Sequence, residues 1–193
     1  MALLIFAVLS LLVAGELQAG VVVGGTRFIF PADRESISIL LTNTSQESWL
    51  INSKINRPTR WAGGEVSTVP APLLAAPPLI LLKPGTTGTL RLLRTESDIL
   101  PVDRETLFEL SIASVPSGKV ENQSVKVAMR SVFKLFWRPE GLPGDPLEAY
   151  QQLRWTRNSQ GVQLTNPTPY YINLIQVSVN GKALSNVGVV PPK

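Results

Sequence analysis

Short stretches in which β-branched or aromatic residues alternate with polar ones dominate the chain beyond residue 19, and Gly, Pro, Asn, Asp and Ser separate them. Such alternation is typical of half-buried strands. No apolar spacing of three, four and seven residues persists for the three turns that a helix needs. The predicted strands are Val21–Phe30, Ser36–Asn43, Trp49–Asn56, Thr87–Leu93, Thr106–Val115, Ser124–Trp137, Gln152–Arg157, Val162–Thr165 and Tyr171–Val179. This pattern predicts an all-β chain built as an immunoglobulin-like β-sandwich.

The first 19 residues have a different pattern. Residues 2–15 are apolar apart from Gly and Ser, carry no charge and precede Glu16. A membrane-spanning helix needs about 20 apolar residues, and this run is shorter. We therefore predict a secretory signal peptide over residues 1–19, cleaved after Ala19, rather than a membrane anchor.

A segment rich in Pro and Gly divides the remaining chain. Residues 139–146 contain three prolines and two glycines, so neither a helix nor a central strand is expected to cross them. We predict a sandwich domain over residues 20–138, a linker over 139–146 and a second unit over 147–193. The second unit is much shorter than the about 100 residues of a whole sandwich.

Composition excludes several classes of protein. Among its 193 residues, 44% are hydrophobic and none is Cys or His. The chain therefore has no Ser–His–Asp or Cys–His nucleophile, no Cys/His zinc site and no disulfide. Its net charge of +4 is not concentrated in the dense Lys/Arg clusters typical of nucleic-acid binding. We predict no cofactor, no metal ion and no nucleic-acid partner.

The predicted strand that ends at Trp137 is unusually long. It places Val125, Val127 and Met129 on one face. At the edge of a sheet, that strand would offer one face and its backbone groups to a partner. In an ordinary half-buried strand, the same face would meet the domain's own core, and periodicity alone favours this second interpretation.

Arg27 and Lys134 are isolated cations in apolar strand segments. Each must reach solvent, pair with a carboxylate or line a cleft, because a buried unpaired charge is very costly. Alternation along a strand makes a simple solvent-facing position the default, so the residues alone leave all three possibilities open.

Ser131 and Lys134 match the Ser-x-x-Lys motif of penicillin-recognising acylases. Within a strand, however, residues three apart point to opposite faces, and the partner motifs Ser-Asp-Asn and Lys-Thr-Gly are absent from the chain. Glu105 and Glu109 are more simply explained as structural residues than as an acid/base pair. We therefore predict that the chain is not an enzyme, with a serine–lysine acylase as the alternative.

Several short motifs occur in an order that identifies a family. They are Thr26-Arg27, Ala76-Pro-Pro78, Leu82-Lys-Pro-Gly85, Asp103-Arg-Glu-Thr-Leu-Phe108, Val115-Pro116, Phe133-Lys-Leu-Phe-Trp-Arg-Pro139 and Asn166-Pro-Thr-Pro-Tyr-Tyr171. With these motifs, nearly all of the chain after the predicted signal resembles the periplasmic chaperones of pilus assembly, the PapD type.

The resemblance implies two immunoglobulin-like domains with a subunit-binding cleft between them. Arg27 and Lys134 match the two cleft cations that hold the C-terminal carboxylate of a pilus subunit. Val125, Val127 and Met129 match the apolar residues that the last strand of the first domain lends to that subunit. Glu105 and Arg138 match members of a charged network that ties the two domains together.

The resemblance also implies partners and a location. The partners are pilus subunits and an outer-membrane usher, the location is the periplasm, and no stable membrane insertion is expected after signal cleavage. Because family members carry a complete second sandwich, residues 147–193 are expected to be a truncated second domain that exposes Ile172, Leu174 and Val177. A truncated, non-functional remnant of such a chaperone is the alternative to a working one.

Overall fold

The structure, a computed structural model, describes residues 20–59, 70–95, 100–118, 126–159, 161–184 and 188–193. The described residues between 20 and 138 contain nine strands. They are β1 (Val21–Val23), β2 (Arg27–Pro31), β3 (Ser36–Asn43), β4 (Ser48–Asn56), β5 (Leu73–Ala76), β6 (Leu79–Leu82), β7 (Thr87–Arg94), β8 (Thr106–Ser117) and β9 (Met129–Arg138).

These strands form two sheets that pack face to face. One sheet has the order β1-β3-β7-β5, and the other has the order β2-β9-β8-β4-β6. Every pair of neighbours is antiparallel except β2 and β9, which run parallel. Alternate apolar side chains of both sheets meet in one core, which contains the fully buried Phe30, Leu41, Ile51, Leu90 and Phe108. The predicted all-β, immunoglobulin-like β-sandwich is confirmed.

The predicted strand Val21–Phe30 is wrong as a single element, because the chain changes sheets at Gly24 and Gly25. β1 pairs with β3, whereas β2 pairs with β9 in the opposite sheet. The Gly25 N–H donates to the Val23 carbonyl at 2.8 Å, and a Cβ on Gly25 would lie only 2.9 Å from the Phe28 ring. Alternation alone does not reveal such a change, which is what brings Arg27 beside β9.

Two strands were missed at the sheet edges. β5 and β6 consist of Leu, Ala and Ile and flank Pro77 and Pro78, so they lack the β-branched alternation that marked the other strands. Proline is tolerated at sheet edges because a missing N–H donor there breaks no ladder. Four strands, β3, β4, β7 and β8, begin and end within two residues of their predicted bounds.

The strand predicted over Ser124–Trp137 is shorter at its start. β9 begins at Met129, residues 126–128 are not in a strand, and residues 124 and 125 lie outside the described residues. Lys126 instead donates from Nζ to the Gly118 carbonyl at 2.8 Å. The predicted strand begins too early, because the alternation of apolar residues starts several residues before Met129, where β8 begins to pair with β9.

Residues after 146 form a smaller unit. A short 3-10 helix spans Ala149–Gln152, and the strands are β10 (Arg154–Asn158), β11 (Gly161–Thr165), β12 (Ile172–Asn173), β13 (Ser178–Val179), β14 (Lys182–Ala183) and β15 (Val189–Val190). They pair as β10-β11, β12-β15 and β13-β14. The predicted strand Tyr171–Val179 is therefore wrong, since it is divided into β12 and β13 with different partners.

The expected exposure of Ile172, Leu174 and Val177 is also wrong. Ile172 is buried, and Leu174 and Val177 are half-buried. Ile172 packs with Ala149 and Tyr170 in a second small core, because β12 pairs with β15 and holds its side chain inward. Other apolar side chains of this unit are exposed; they are Leu147, Tyr150, Trp155, Val162, Ile175, Val179 and Leu184.

No helix among the described residues is long and apolar enough to cross a membrane. The predicted signal peptide, residues 1–19, lies outside the described residues.

Candidate functional site

Arg27 and Lys134 lie next to each other on the outer face of the five-stranded sheet. They are direct partners in the parallel pairing of β2 with β9, so their side chains leave the sheet on the same side. Arg27 is exposed and Lys134 is half-buried. Burial and, secondarily, the positive charge of Arg27 lower the pKa of Lys134. An anion bound between the two cations would relieve this repulsion.

The two cations differ in their contacts. The Lys134 Nζ donates to the Asn173 Oδ1 at 2.6 Å, which connects the sandwich to β12. The Arg27 guanidinium has no hydrogen bond or ion pair to any residue that the structure describes. The pair therefore lies where the two units meet, with donor capacity available at Arg27 for an acceptor such as a carboxylate.

One edge of β9 is open beside this pair. β8 pairs with β9 from Met129 onward, whereas β2 pairs with the other edge only from Lys134 onward. Among the described residues, no strand pairs with that second edge over residues 129–133. Its backbone groups are thus available to an additional strand.

Apolar side chains accompany the open edge. Phe133 and Leu135 pack against the core, and Met129 lies on the same face of β9 by alternation but is 60% exposed. Val127, just before β9, is 63% exposed. Val125 lies outside the described residues. Met129 and Val127 are therefore uncovered by their own domain and available for burial against a partner.

Glu105 and Arg138 form an ion pair at the junction of the two units. The Arg138 Nε donates to the Glu105 Oε1 at 2.7 Å, and the Glu105 side chain is 2% exposed. The Tyr171 N–H donates to the Glu105 Oε2 at 2.7 Å, and the Glu105 N–H donates to the Pro169 carbonyl at 2.8 Å. A single buried residue of the sandwich thus holds the chain on both sides of Tyr170.

The local fold of Asn166–Tyr171 explains why these backbone groups point toward Glu105. The Asn166 Oδ1 accepts from the Thr168 N–H at 3.0 Å and from its hydroxyl at 2.7 Å, while the Asn166 Nδ2 donates to the Tyr170 carbonyl at 2.7 Å. This side-chain bonding to nearby backbone is typical of Asn turns. The turn leaves the Pro169 carbonyl and the Tyr171 N–H for the sandwich.

Sequence reasoning identified the motif at residues 166–171 but not its contacts with the linker. The Tyr170 hydroxyl lies 3.2 Å from both the Leu142 and the Gly144 carbonyls, and the Arg138 guanidinium lies 5.4 Å from the centre of the Tyr170 ring. Phe136 packs against Tyr171, with ring centres 5.6 Å apart. The pair of tyrosines was the only sequence signal for these contacts, because a buried tyrosine needs a hydrogen-bond partner for its hydroxyl.

Glu109 is a second buried carboxylate on the outer face, directly across from Lys134 in the β8–β9 register. Its Oε1 accepts from the Thr59 N–H at 2.7 Å, which places it in a structural contact after β4. Ser131 and Lys134 lie three residues apart in β9, so they point to opposite faces and do not form an acylase pair. Among the described residues, no group of His, Cys, Asp or Glu side chains is arranged to hold a metal ion.

Comparison with protein families gives two matches that together span most of the chain. Residues 20–143 match the pili and flagellar-assembly chaperone, PapD N-terminal domain. Residues 148–193 match the pili assembly chaperone PapD, C-terminal domain.

Individual relatives agree with these matches. The chain is 99% identical over 193 residues to the fimbrial chaperone YcbF of Escherichia coli strain K12, covering 82% of that protein. It is 32% identical to the chaperone protein FimC of the same strain, covering 95% of this chain and 75% of FimC. A structure of the Salmonella enterica SafA pilin in complex with the SafB chaperone matches with a TM-score of 0.76 and 31% identity, covering 90% of this chain and 80% of the matched chain.

Proposed function

Because the chain belongs to the PapD family of pilus-assembly chaperones, which are not enzymes, we propose that it binds pilus subunits at the outer face of its five-stranded sheet. The observation that carries the proposal is the position of two adjacent cations, Arg27 and Lys134, at the end of the open edge of β9. The cations bind the C-terminal carboxylate of a subunit, and the open edge binds the strand that leads to it.

The two cations suit a terminal carboxylate for electrostatic reasons. Each charge-assisted hydrogen bond contributes about 1.5–3 kcal/mol, and a carboxylate accepts from both cations at once. Arg27 is exposed and has no competing hydrogen bond or ion pair among the described residues. A bound anion also favours the charged form of Lys134, whose pKa is lowered by burial and by Arg27.

The position of the cations determines the direction of the bound strand. The open edge covers residues 129–133, on the N-terminal side of Lys134. A subunit strand that ends at Lys134 and lies along this edge must therefore run parallel to β9. Met129 then faces the subunit's core side, where burial of its side chain contributes about 1.5–3 kcal/mol. The sequence predicts the same role for Val127, which is 63% exposed just before β9, and for Val125, which lies outside the described residues.

The ion pair between Glu105 and Arg138 supports a role in fixing the angle between the domains. Lys134 contacts Asn173, and Glu105 contacts Tyr171. A change in the domain angle would therefore move Asn173 relative to the carboxylate site. We propose the boundaries 20–138 and 147–193 for the two domains, joined by residues 139–146.

The biological setting follows from the family and from the predicted signal peptide. The chain acts in the periplasm, holds subunits that lack a final strand of their own, and passes them to an outer-membrane usher. The structurally similar SafB chaperone occurs in complex with the SafA pilin, which supports the subunit as the primary partner.

Replacing Met129 by alanine tests strand donation. We expect a pilus subunit co-produced with the variant to bind about five- to tenfold more weakly, because part of the burial free energy of one apolar side chain is lost. Affinity is measured by titrating the purified subunit with the chain. Leu40→Ala removes a similarly exposed apolar side chain from β3, in the other sheet, and is the matched control. Equal affinities for both variants would contradict strand donation at β9.

The lowered pKa of Lys134 predicts a pH dependence. Between that pKa and the usual value for lysine, the unfolded chain holds more protons than the folded one, so this residue's contribution to the free energy of unfolding rises with pH. Binding of a carboxylate requires the charged form, so affinity falls as pH rises through the lowered pKa. Isothermal titration with a peptide that ends in a free carboxylate should show this decrease. Lys134→Arg should abolish it, and a flat profile for the unsubstituted chain would exclude Lys134 as a ligand of the carboxylate.

A further inference from the structure

Arg130 is a second exposed cation on the face that carries Lys134. It lies four residues before Lys134 on β9 and pairs across the strands with Ala113 of β8. Residues 130, 132 and 134 therefore share the outer face of the sheet. The Arg130 guanidinium makes no hydrogen bond or ion pair with any residue that the structure describes. Arg130 therefore has no charged or hydrogen-bonded partner in the described fold, and it is not part of the proposed carboxylate site.

The groups around Arg130 are mostly neutral or basic, and Glu109 is the one acidic residue among the described residues that line the cavity beside it. Across the sheet from it, the outer face presents Ala113, Asn52 and Leu79. Arg130 lines a cavity of about 850 Å³ together with Lys54, which also has no hydrogen bond or ion pair among the described residues. Glu109, on the same face of β8 but four residues from Ala113, accepts hydrogen bonds from Thr59. The charged side chains that line this cavity are the cations Lys54, Arg57 and Arg130 and the anion Glu109, so its lining has a net positive charge.

The proposed direction of the subunit strand places one of its side chains beside Arg130. If the last residue of the subunit aligns with Lys134 and the strand runs parallel to β9, then the fourth residue before the last aligns with Arg130. Both of these residues face the outer side, because side chains alternate with a period of two. Opposite charges on neighbouring strands attract at this spacing, and like charges repel.

We propose that Arg130 is a specificity-determining residue that selects subunits with an acidic side chain at the fourth position before their C-terminal carboxylate. This inference rests on the proposed function, since it takes the carboxylate site and the open edge as the binding frame. A basic side chain at that position is disfavoured by repulsion from Arg130.

A set of short peptides tests the inference on the full chain. Each peptide has alternating apolar residues and a free C-terminal carboxylate, and carries Glu, Gln or Lys at the fourth position before the last. We expect the Glu peptide to bind about two- to fivefold more tightly than the Gln peptide, and the Lys peptide to bind more weakly than both. Arg130→Glu should reverse this order, as measured by fluorescence anisotropy.

Two controls isolate the effect of position. Moving the Glu to the fifth position before the last places it on the opposite face, so its advantage should disappear. Arg91→Glu makes the same charge change on β7 of the other sheet, and the preference for Glu should remain. Thermal unfolding of the variants verifies that the exposed substitutions leave the sandwich folded.

The outcomes separate this inference from the proposed function. Equal binding of the Glu, Gln and Lys peptides, with weaker binding of a C-terminally amidated peptide, would overturn the role of Arg130 and leave the carboxylate site intact. Equal binding of the amidated and free-acid peptides would overturn the carboxylate site itself. If none of the peptides binds, the open edge does not accept a carboxylate-terminated strand, and both proposals fail.

Discussion

Replacing both Arg27 and Lys134 by alanine is expected to abolish co-purification of a pilus subunit while leaving the sandwich folded. Each cation contributes about 1.5–3 kcal/mol to binding of the carboxylate, so loss of both weakens binding by at least about a hundredfold. Arg27 is exposed and makes no hydrogen bond or ion pair within the described residues, so its removal should not perturb the core. The measurement is the amount of subunit recovered from the periplasm with each variant.

Two further variants distinguish carboxylate binding from domain contact. Lys134 also donates to Asn173, so Asn173→Ala removes that contact and leaves both cations in place. We expect Asn173→Ala to retain most of the bound subunit. Arg91→Ala removes an exposed arginine from the other sheet and should have no effect. Undiminished recovery with both Arg27→Ala and Lys134→Ala would refute the proposed site.

Replacing Glu105 by alanine is expected to loosen the junction between the two units. The substitution leaves Arg138 without its carboxylate and the Tyr171 N–H without its acceptor. Breaking a largely buried ion pair lowers stability by about 3–5 kcal/mol. Because the Arg138 side chain is 28% exposed, we expect a loss of stability of about 2–4 kcal/mol for this pair. Cleavage after Glu140, an exposed residue of the linker, by a Glu-specific protease should become faster.

The control for Glu105 is its neighbour Asp103. Asp103 pairs with Arg104 at 2.8 Å, but the two side chains are 62% and 39% exposed, and Asp103→Asn leaves the Arg104 hydrogen bond to the Lys193 carbonyl in place, so the cleavage rate should change little. Glu105→Gln, which keeps an acceptor for the Tyr171 N–H, should fall between the two. If Glu105→Ala and Asp103→Asn are cleaved at the same rate, the ion pair does not hold the units together.

Strand prediction succeeded where the side chains of a strand alternate along its whole length. β3, β4, β7 and β8 have the clearest alternation, and each lies within two residues of its predicted bounds. It failed at β5 and β6, whose Leu- and Ala-rich edges lack the alternating signal. It also failed over Val21–Phe30, because a strand that changes sheets at a pair of glycines retains its apolar composition on both sides.

The candidate site was only partly accessible to sequence reasoning. Arg27 and Lys134 stand out in the sequence as isolated cations among apolar residues. Each could reach solvent, pair with a carboxylate or line a cleft, so the sequence allowed three different environments. Glu105 and Arg138 gave no pattern of their own and were identified through resemblance. The contacts of Tyr170 with the linker and of Asn173 with Lys134 were not foreseen, since neither residue differs in type from an ordinary buried or surface residue.

Sequence by itself determined which side chains alternate, which chemistry is excluded and which charges lie in apolar strands. Alternation has a period of two, so it specifies the face on which a side chain lies but not which strand will lie beside it. Only the tertiary structure decided that β2 pairs with β9, which places Arg27 next to Lys134 although the two are far apart in the chain. The tertiary structure also decided that residues 129–133 of β9 have no second neighbour among the described strands. Strand pairing depends on contacts between segments that are distant in the chain, which alternation does not reveal.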